Sequence, residues 1–139
     1  VTDLEFGDRV ALQTIPGSDG LLTIFDSKNF TDFLVRRLYF LHSLSEGAER
    51  GGHAHLRLHQ FFIAISGEFV IELTRLGETR IIRANSPLEA IYVPPITWRV
   101  LKEFSKDATC LVLASESYDE SDYVRDFHAF TELGEVGDL

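Results

Sequence analysis

Turn-forming residues interrupt this chain so often that few apolar segments have room to become long helices. Pro16-Gly17-Ser18-Asp19-Gly20, Ser66-Gly67, Leu76-Gly77-Glu78, Asn85-Ser86-Pro87 and Ser105-Lys106-Asp107 each supply residues that tolerate tight backbone geometry. The segments between them alternate or run apolar, with many β-branched and aromatic side chains, which is the signature of short strands. Strands are predicted over Val10 to Ile15, Leu21 to Phe25, Val35 to Ser43, Ala54 to Ser66, Glu68 to Leu73, Thr79 to Ala84, Leu88 to Val93, Trp98 to Phe104 and Thr109 to Ser115. The pattern changes after Ser115. From Asp119 to Leu133, Tyr123, Phe127 and Phe130 recur at spacings of four and three, so a short C-terminal helix is predicted there. Many short, evenly spaced strands pack as a sandwich or a barrel, the jelly roll among them, and the strand pattern alone does not choose between these.

The 139 residues suit one domain spanning 1–139, because halves of that length would struggle to build separate cores. No apolar run approaches the roughly 20 residues that span a bilayer. The opening Val1-Thr2-Asp3-Leu4-Glu5 lacks the basic start and apolar stretch of a secretory signal, so the expected location is the cytoplasm. The lone Cys110 lies in the apolar run Cys110-Leu111-Val112-Leu113 and reads as a small buried hydrophobe. With 22 acidic against 13 basic residues the net charge is −9, which repels a polyanion and argues against nucleic acid as a partner. A small anionic ligand is compatible with that charge if a few arginines converge on it.

The segment from Gly47 to Gly67 reads GAERGGHAHLRLHQFFIAISG. His53 and His55 are two apart, so on a strand both imidazoles project from the same sheet face. Gly47, His53, His55, Gln60 and Gly67 resemble the first motif of the cupins at its own spacing, with Gln60 where a Glu ligand would stand. Pro94-Pro95-Ile96-Thr97-Trp98-Arg99 resembles the second, with Ile96 in place of Gly and Arg99 in place of the third His. Metal-binding cupins draw three His and one Glu from these motifs, a set suited to divalent transition metals. Gln60 is a poor ligand and Arg99 a permanent cation, so the resemblance implies an all-β cupin jelly roll with a short C-terminal helix and no metal. His42, His59 and His128 belong to no such pattern; His59 should face away from Gln60, its neighbour in the chain.

The flanks narrow the likeness. Arg37-Leu38-Tyr39-Phe40, Glu49 to His55, Tyr92 to Trp98, Leu113-Ala114-Ser115 and Tyr118 to Arg125 together resemble the sugar-nucleotide 3,4-ketoisomerases, from about Arg9 to about Phe130. That resemblance implies an isomerase that converts dTDP-4-keto-6-deoxy-D-glucose to the 3-keto sugar without cofactor or metal, in routes to deoxy and amino sugars such as those of the lipopolysaccharide O-antigen. Such a reaction needs a base, a shuttle for oxygen protons, and groups that stabilise an enediolate. The resemblance implies His53 as principal base, His55 as its partner and Tyr39 as proton relay. Arg99, Arg50, Arg37, Gln60 and Trp98 are the candidates for substrate binding: Arg99 to stabilise the enediolate or hold the pyrophosphate, Arg50 and Arg37 to contact the pyrophosphate, Gln60 to orient a catalytic imidazole, and Trp98 either to bind or to pack in the core. The resemblance also implies a homodimer, for which Val10 to Phe25 is the expected interface. A metal-free nucleotide-sugar 3,5-epimerase and a non-catalytic sugar-binding cupin are the alternative readings.

Overall fold

The computed structural model describes residues 3–136. Its strands are β1 (Arg9–Ala11), β2 (Gln13–Pro16), β3 (Leu21–Ile24), β4 (Arg37–Leu41), β5 (Arg50–His55), β6 (Gln60–Ser66), β7 (Phe69–Arg75), β8 (Glu78–Ala84), β9 (Glu89–Val93), β10 (Trp98–Lys102), β11 (Thr109–Ala114) and β12 (Tyr123–Val124). One helix, α1 (Phe127–Val136), follows them. The strands form two five-stranded sheets, ordered β1-β9-β6-β11-β4 and β12-β5-β10-β7-β8, and β2 pairs with β3 as a separate hairpin. Every pairing is antiparallel. This is the jelly-roll arrangement that the resemblance implies.

Alternation along each strand decides what lies between the sheets. On β6, Phe62 and Ala64 join Ile71, Leu73, Val93, Leu101 and Val112 in the cluster enclosed by the two sheets. The intervening Phe61 and Ile63 belong to a second cluster with Tyr92 and Leu113, on the outer face of the first sheet, and Phe25, Phe30 and Phe33 pack over it. The barrel therefore has an interior with an apolar core and a covered outer flank. Gln60, one step before Phe61 and two before Phe62, falls on the interior face.

Three expectations need correction. The segment 10–15 is two strands, because Leu12 leaves the ladder and donates its N–H to the Leu88 carbonyl. The segment 54–66 is also two, and the histidines belong to β5, which begins at Arg50. Between β5 and β6 the backbone turns toward the C-terminal segment: Leu56 N–H donates to the Asp122 carbonyl and His59 N–H to Ser115 Oγ. Finally, the helix begins at Phe127 and not at Asp119. The Asp119 carboxylate accepts from both the N–H and the hydroxyl of Ser121, which favours a tight 3-10 turn over residues 120–122, and the following β12 pairs with β5. Asp126 then caps α1 by accepting from Ala129 N–H. Phe127 and Phe130, one turn apart, hold α1 against Trp98. No helix among the described residues is long and apolar enough to cross a membrane.

Candidate active site

The histidines owe their placement to the two glycines before them. On β10, Arg99 stands opposite His53 and Val100 opposite Gly51, so Gly52 has no partner and β5 bulges there. Gly51 and Gly52 both adopt left-handed backbone, with φ of 90° and 70°. The bulge brings β5 close to β10: a Cβ on Gly51 would stand 2.7 Å from the Arg99 carbonyl oxygen. Past it the strand is regular, and His53 and His55 share a face with their rings 4.9 Å apart and at right angles.

Four further side chains meet them at this end of the barrel. Tyr39 comes from β4, Gln60 from β6 and Arg99 from β10, and a hydrogen-bonded chain joins the three. Arg99 Nη1 donates to Gln60 Oε1, and Gln60 Nε2 donates to the Tyr39 hydroxyl at 3.1 Å. Arg99 Nη2 donates to the Thr97 carbonyl at 3.1 Å. Because Tyr39 already accepts from Gln60, its own O–H remains available to donate elsewhere. The fourth side chain, Arg50, lines a cavity of about 170 Å³ together with Tyr39, Gly51, His53, Arg99 and Phe62.

Arg99 is 1% exposed, and its guanidinium sets the electrostatics of the site. Burial lowers its pKa to about 10, which leaves it cationic at neutral pH. Burial, and then the Arg99 charge, bring His53 down to about 4. Burial, Arg99 and His53 hold His55 well below the ordinary imidazole range. Both histidines are therefore neutral at pH 7, and neutral imidazole can accept a proton. Burial raises the Tyr39 phenol against the opposing pull of Arg99, so it too is uncharged. Among the described residues no three His, Cys, Asp or Glu side chains gather as a ligand set. The position where a further ligand would have to stand carries a buried cation that would repel a metal ion.

The rim is basic and aromatic. The Arg37 guanidinium lies over the rings of Tyr39 and Tyr118, at 5.4 and 5.9 Å. Arg125 lies 4.2 Å over Tyr123 and is held by Glu120, whose carboxylate also accepts from the Tyr118 hydroxyl. Among the described residues neither Arg37 nor Arg50 has a carboxylate at ion-pair distance, whereas Arg9, Arg57, Arg80, Arg83 and Arg125 all do. In a chain of net charge −9, two arginines without an acidic partner, Arg50 on the cavity wall and Arg37 over the Tyr39 ring that lines it, are suited to an anionic ligand.

Of the residues singled out from the sequence, His53, His55, Tyr39, Gln60, Arg99, Arg50 and Arg37 gather here. Trp98 does not: it alternates with Arg99 along β10 and packs on Phe127 and Phe130, 5.1 and 5.6 Å away, where it anchors α1. Gln60 differs from expectation in its partners, which are Tyr39 and Arg99 and neither imidazole. His59 faces outward as expected, its Nδ1 2.7 Å from the Tyr92 hydroxyl. Two residues in the site were missed. Asp122, 3% exposed, places Oδ2 3.0 Å from His55 Nδ1, and the Tyr123 ring lies 4.3 Å from that of His55 and 4.9 Å from that of His53. A helix over 119–133 offers no reason for Asp122 to meet β5. The Asp-x-Ser and Ser-Asp pairs, which favour tight turns, were the available signal against a helix starting there.

Residues 8–135 match the family described as FdtA: WxcM-like, C-terminal. The chain belongs to this family. It is similar to the TDP-4-oxo-6-deoxy-α-D-glucose-3,4-oxoisomerase of Aneurinibacillus thermoaerophilus, 33% identical over 116 residues, which are 84% of this chain and 83% of that protein. Among solved structures it is similar to a histidine-to-asparagine variant of the 3,4-ketoisomerase QdtA from Thermoanaerobacterium thermosaccharolyticum, in complex with TDP-4-keto-6-deoxyglucose. The identity is 31%, the TM-score is 0.90, and 98% of this chain and 99% of that one are covered. The 3'-monoepimerase ChmJ of Streptomyces bikiniensis shares the fold at 18% identity and a TM-score of 0.75, over 87% of this chain and 69% of that one. The FdtA-like chain thus has relatives that carry out the chemistry its histidines suit.

Proposed function

We propose that this chain, as one domain, is a sugar-nucleotide 3,4-ketoisomerase acting on TDP-4-keto-6-deoxyglucose. The observation that carries the reading is the pairing of two neutral histidines with a buried arginine in one barrel end. In the proposed reaction His53 takes the C3 proton of the sugar, and the electrons of that bond form the C3–C4 double bond of an enediolate. Negative charge then appears on the C4 oxygen. Arg99 is near enough to both histidines to lower their pKa values, so its charge favours the enediolate. The growing negative charge in turn offsets the field of Arg99, so His53 becomes a stronger base as it is needed. Tyr39 and His55 move a proton from the C3 hydroxyl to the C4 oxygen side, and return of a proton to the C4 carbon leaves the carbonyl at C3. No electrons enter or leave the sugar, so the step needs no redox partner.

Arg37 and Arg50 are proposed to hold the diphosphate at the mouth, and Gln60 to set the Tyr39 hydroxyl as donor. The reaction belongs with deoxy- and amino-sugar synthesis, including O-antigen sugars, and with the cytoplasm as its compartment. Incubation with TDP-4-keto-6-deoxyglucose followed by NMR of the product tests the reading: a 3-keto sugar supports it, and an inverted sugar whose carbonyl stays at C4 would favour an epimerase.

The proposed assembly is a homodimer. Ile15, Leu21 and Leu22 on the β2–β3 hairpin are 45%, 67% and 58% exposed, and Leu38 and Phe40 on the edge strand β4 are 56% and 54% exposed. Large apolar side chains gathered on a hairpin and beside a free strand edge are suited to a second copy of the chain. Sedimentation at micromolar concentration is expected to give twice the chain mass of 15.7 kDa, and a monomer would count against it.

A further inference from the structure

His55 and His53 differ in one respect that bears on their roles. His53 Nδ1 is buried and makes no hydrogen bond of ordinary geometry, although the Gly51 backbone pulls its pKa upward. His55 Nδ1 lies 3.0 Å from Asp122 Oδ2, with both side chains almost wholly buried. The aspartate is itself fixed. Its other oxygen, Oδ1, accepts from Arg57 N–H at 2.8 Å, and its carbonyl accepts from Leu56 N–H at 2.9 Å. The C-terminal segment is thus bonded to the turn after β5 and delivers one carboxylate to one imidazole nitrogen.

We infer that Asp122 is a positioning residue that holds neutral His55 as its Nδ1–H tautomer, leaving Nε2 as the one ring nitrogen able to accept a proton. An ionised carboxylate only accepts hydrogen bonds, so the proton between the two groups must reside on Nδ1. His53 has no buried carboxylate on Nδ1, and only the Gly51 backbone acts on its ring from within its own strand. Asp122 therefore distinguishes the roles of two otherwise similar histidines. The inference rests on the ketoisomerase reading for its consequence in catalysis, though the tautomer itself does not.

The isosteric Asp122→Asn variant tests it. Asparagine has one acceptor oxygen where aspartate has two, and Arg57 N–H and His55 Nδ1–H both need one. If the oxygen stays with the Arg57 backbone, the amide NH2 faces His55 and Nδ1 must accept, which drives the proton to Nε2. In 15N imidazole spectra the wild-type His55 is expected as Nδ1–H, and the variant as Nε2–H. Turnover of TDP-4-keto-6-deoxyglucose is expected to fall by about 100-fold, with KM changed much less, while Arg57→Ala keeps the Nδ1–H signal. A wild-type spectrum showing Nε2–H or an imidazolium overturns the inference even if the variant does not fold. So does a variant with the wild-type turnover number. Wild-type protein that shows the Nδ1–H signal but fails to turn over the sugar would overturn the functional reading and leave the tautomer assignment standing.

Discussion

Replacing His53 with asparagine is expected to lower turnover by roughly 100-fold to 10,000-fold while leaving KM for the keto sugar little changed. Asparagine keeps much of the shape and a hydrogen-bonding group, but it cannot take a proton from carbon. The pH profile supplies an independent signature. A protonated imidazole cannot act as base, so the wild-type kcat/KM should fall as the pH approaches the His53 pKa from above. Burial and Arg99 put that value at about 4, below the ordinary 6.5, so activity should be nearly flat from pH 7 to pH 5 and decline only below that. The His53→Asn protein should lose this acid limb together with the rate. Washout of the C3 proton in deuterium oxide checks the assignment: exchange at the wild-type rate in His53→Asn would assign the base elsewhere.

The largest effect on folding is expected at Gly51. Alanine there must adopt φ near +90°, and its Cβ would lie 2.7 Å from the Arg99 carbonyl oxygen and 3.2 Å from Arg99 Cγ. The strands cannot separate to relieve this without disturbing Arg99, which is tied to Gln60 and Thr97. Backbone strain and overpacking together should cost on the order of 2–5 kcal/mol. Gly52 is the control, because its φ of +70° is also left-handed but nothing lies within 4 Å of its Cβ. Gly52→Ala should therefore cost only the backbone strain, about 1–2 kcal/mol. Urea midpoints of the two variants measure the difference, and equal losses would show that the close approach of β5 to β10 does not limit the site.

His53 and His55 were legible in the sequence because strand periodicity is local: two residues apart means one face, wherever the strand lies. Arg99 and Gln60 were legible through motif spacing, and both fall beside the histidines because β10 and β6 point alternate side chains into the same barrel. Trp98 is placed apart from them for a related reason. As the neighbour of Arg99 it had to face the other way, but only the position of α1 reveals that Phe127 and Phe130 pack on that face. Asp122 was illegible for a different cause. Its contact with His55 joins positions 67 apart, through a two-residue strand too short for periodicity to register. The Gln60 amide shows a third limit: its inward direction followed from alternation, but its bonds to Tyr39 and Arg99 depend on the register of β4 and β10 with their neighbours.

The central claim is that the two histidines relocate a carbonyl along the sugar without inverting other centres. The most direct measurement is NMR of the product formed from TDP-4-keto-6-deoxyglucose in deuterium oxide by the wild-type protein, before and after prolonged dialysis against EDTA. The account predicts a carbonyl at C3, loss of the original C3 hydrogen, solvent deuterium at C4 where the base exchanges with water, and the same rate after chelation. A product with its carbonyl still at C4, or activity lost on chelation and restored by one divalent metal, would contradict it.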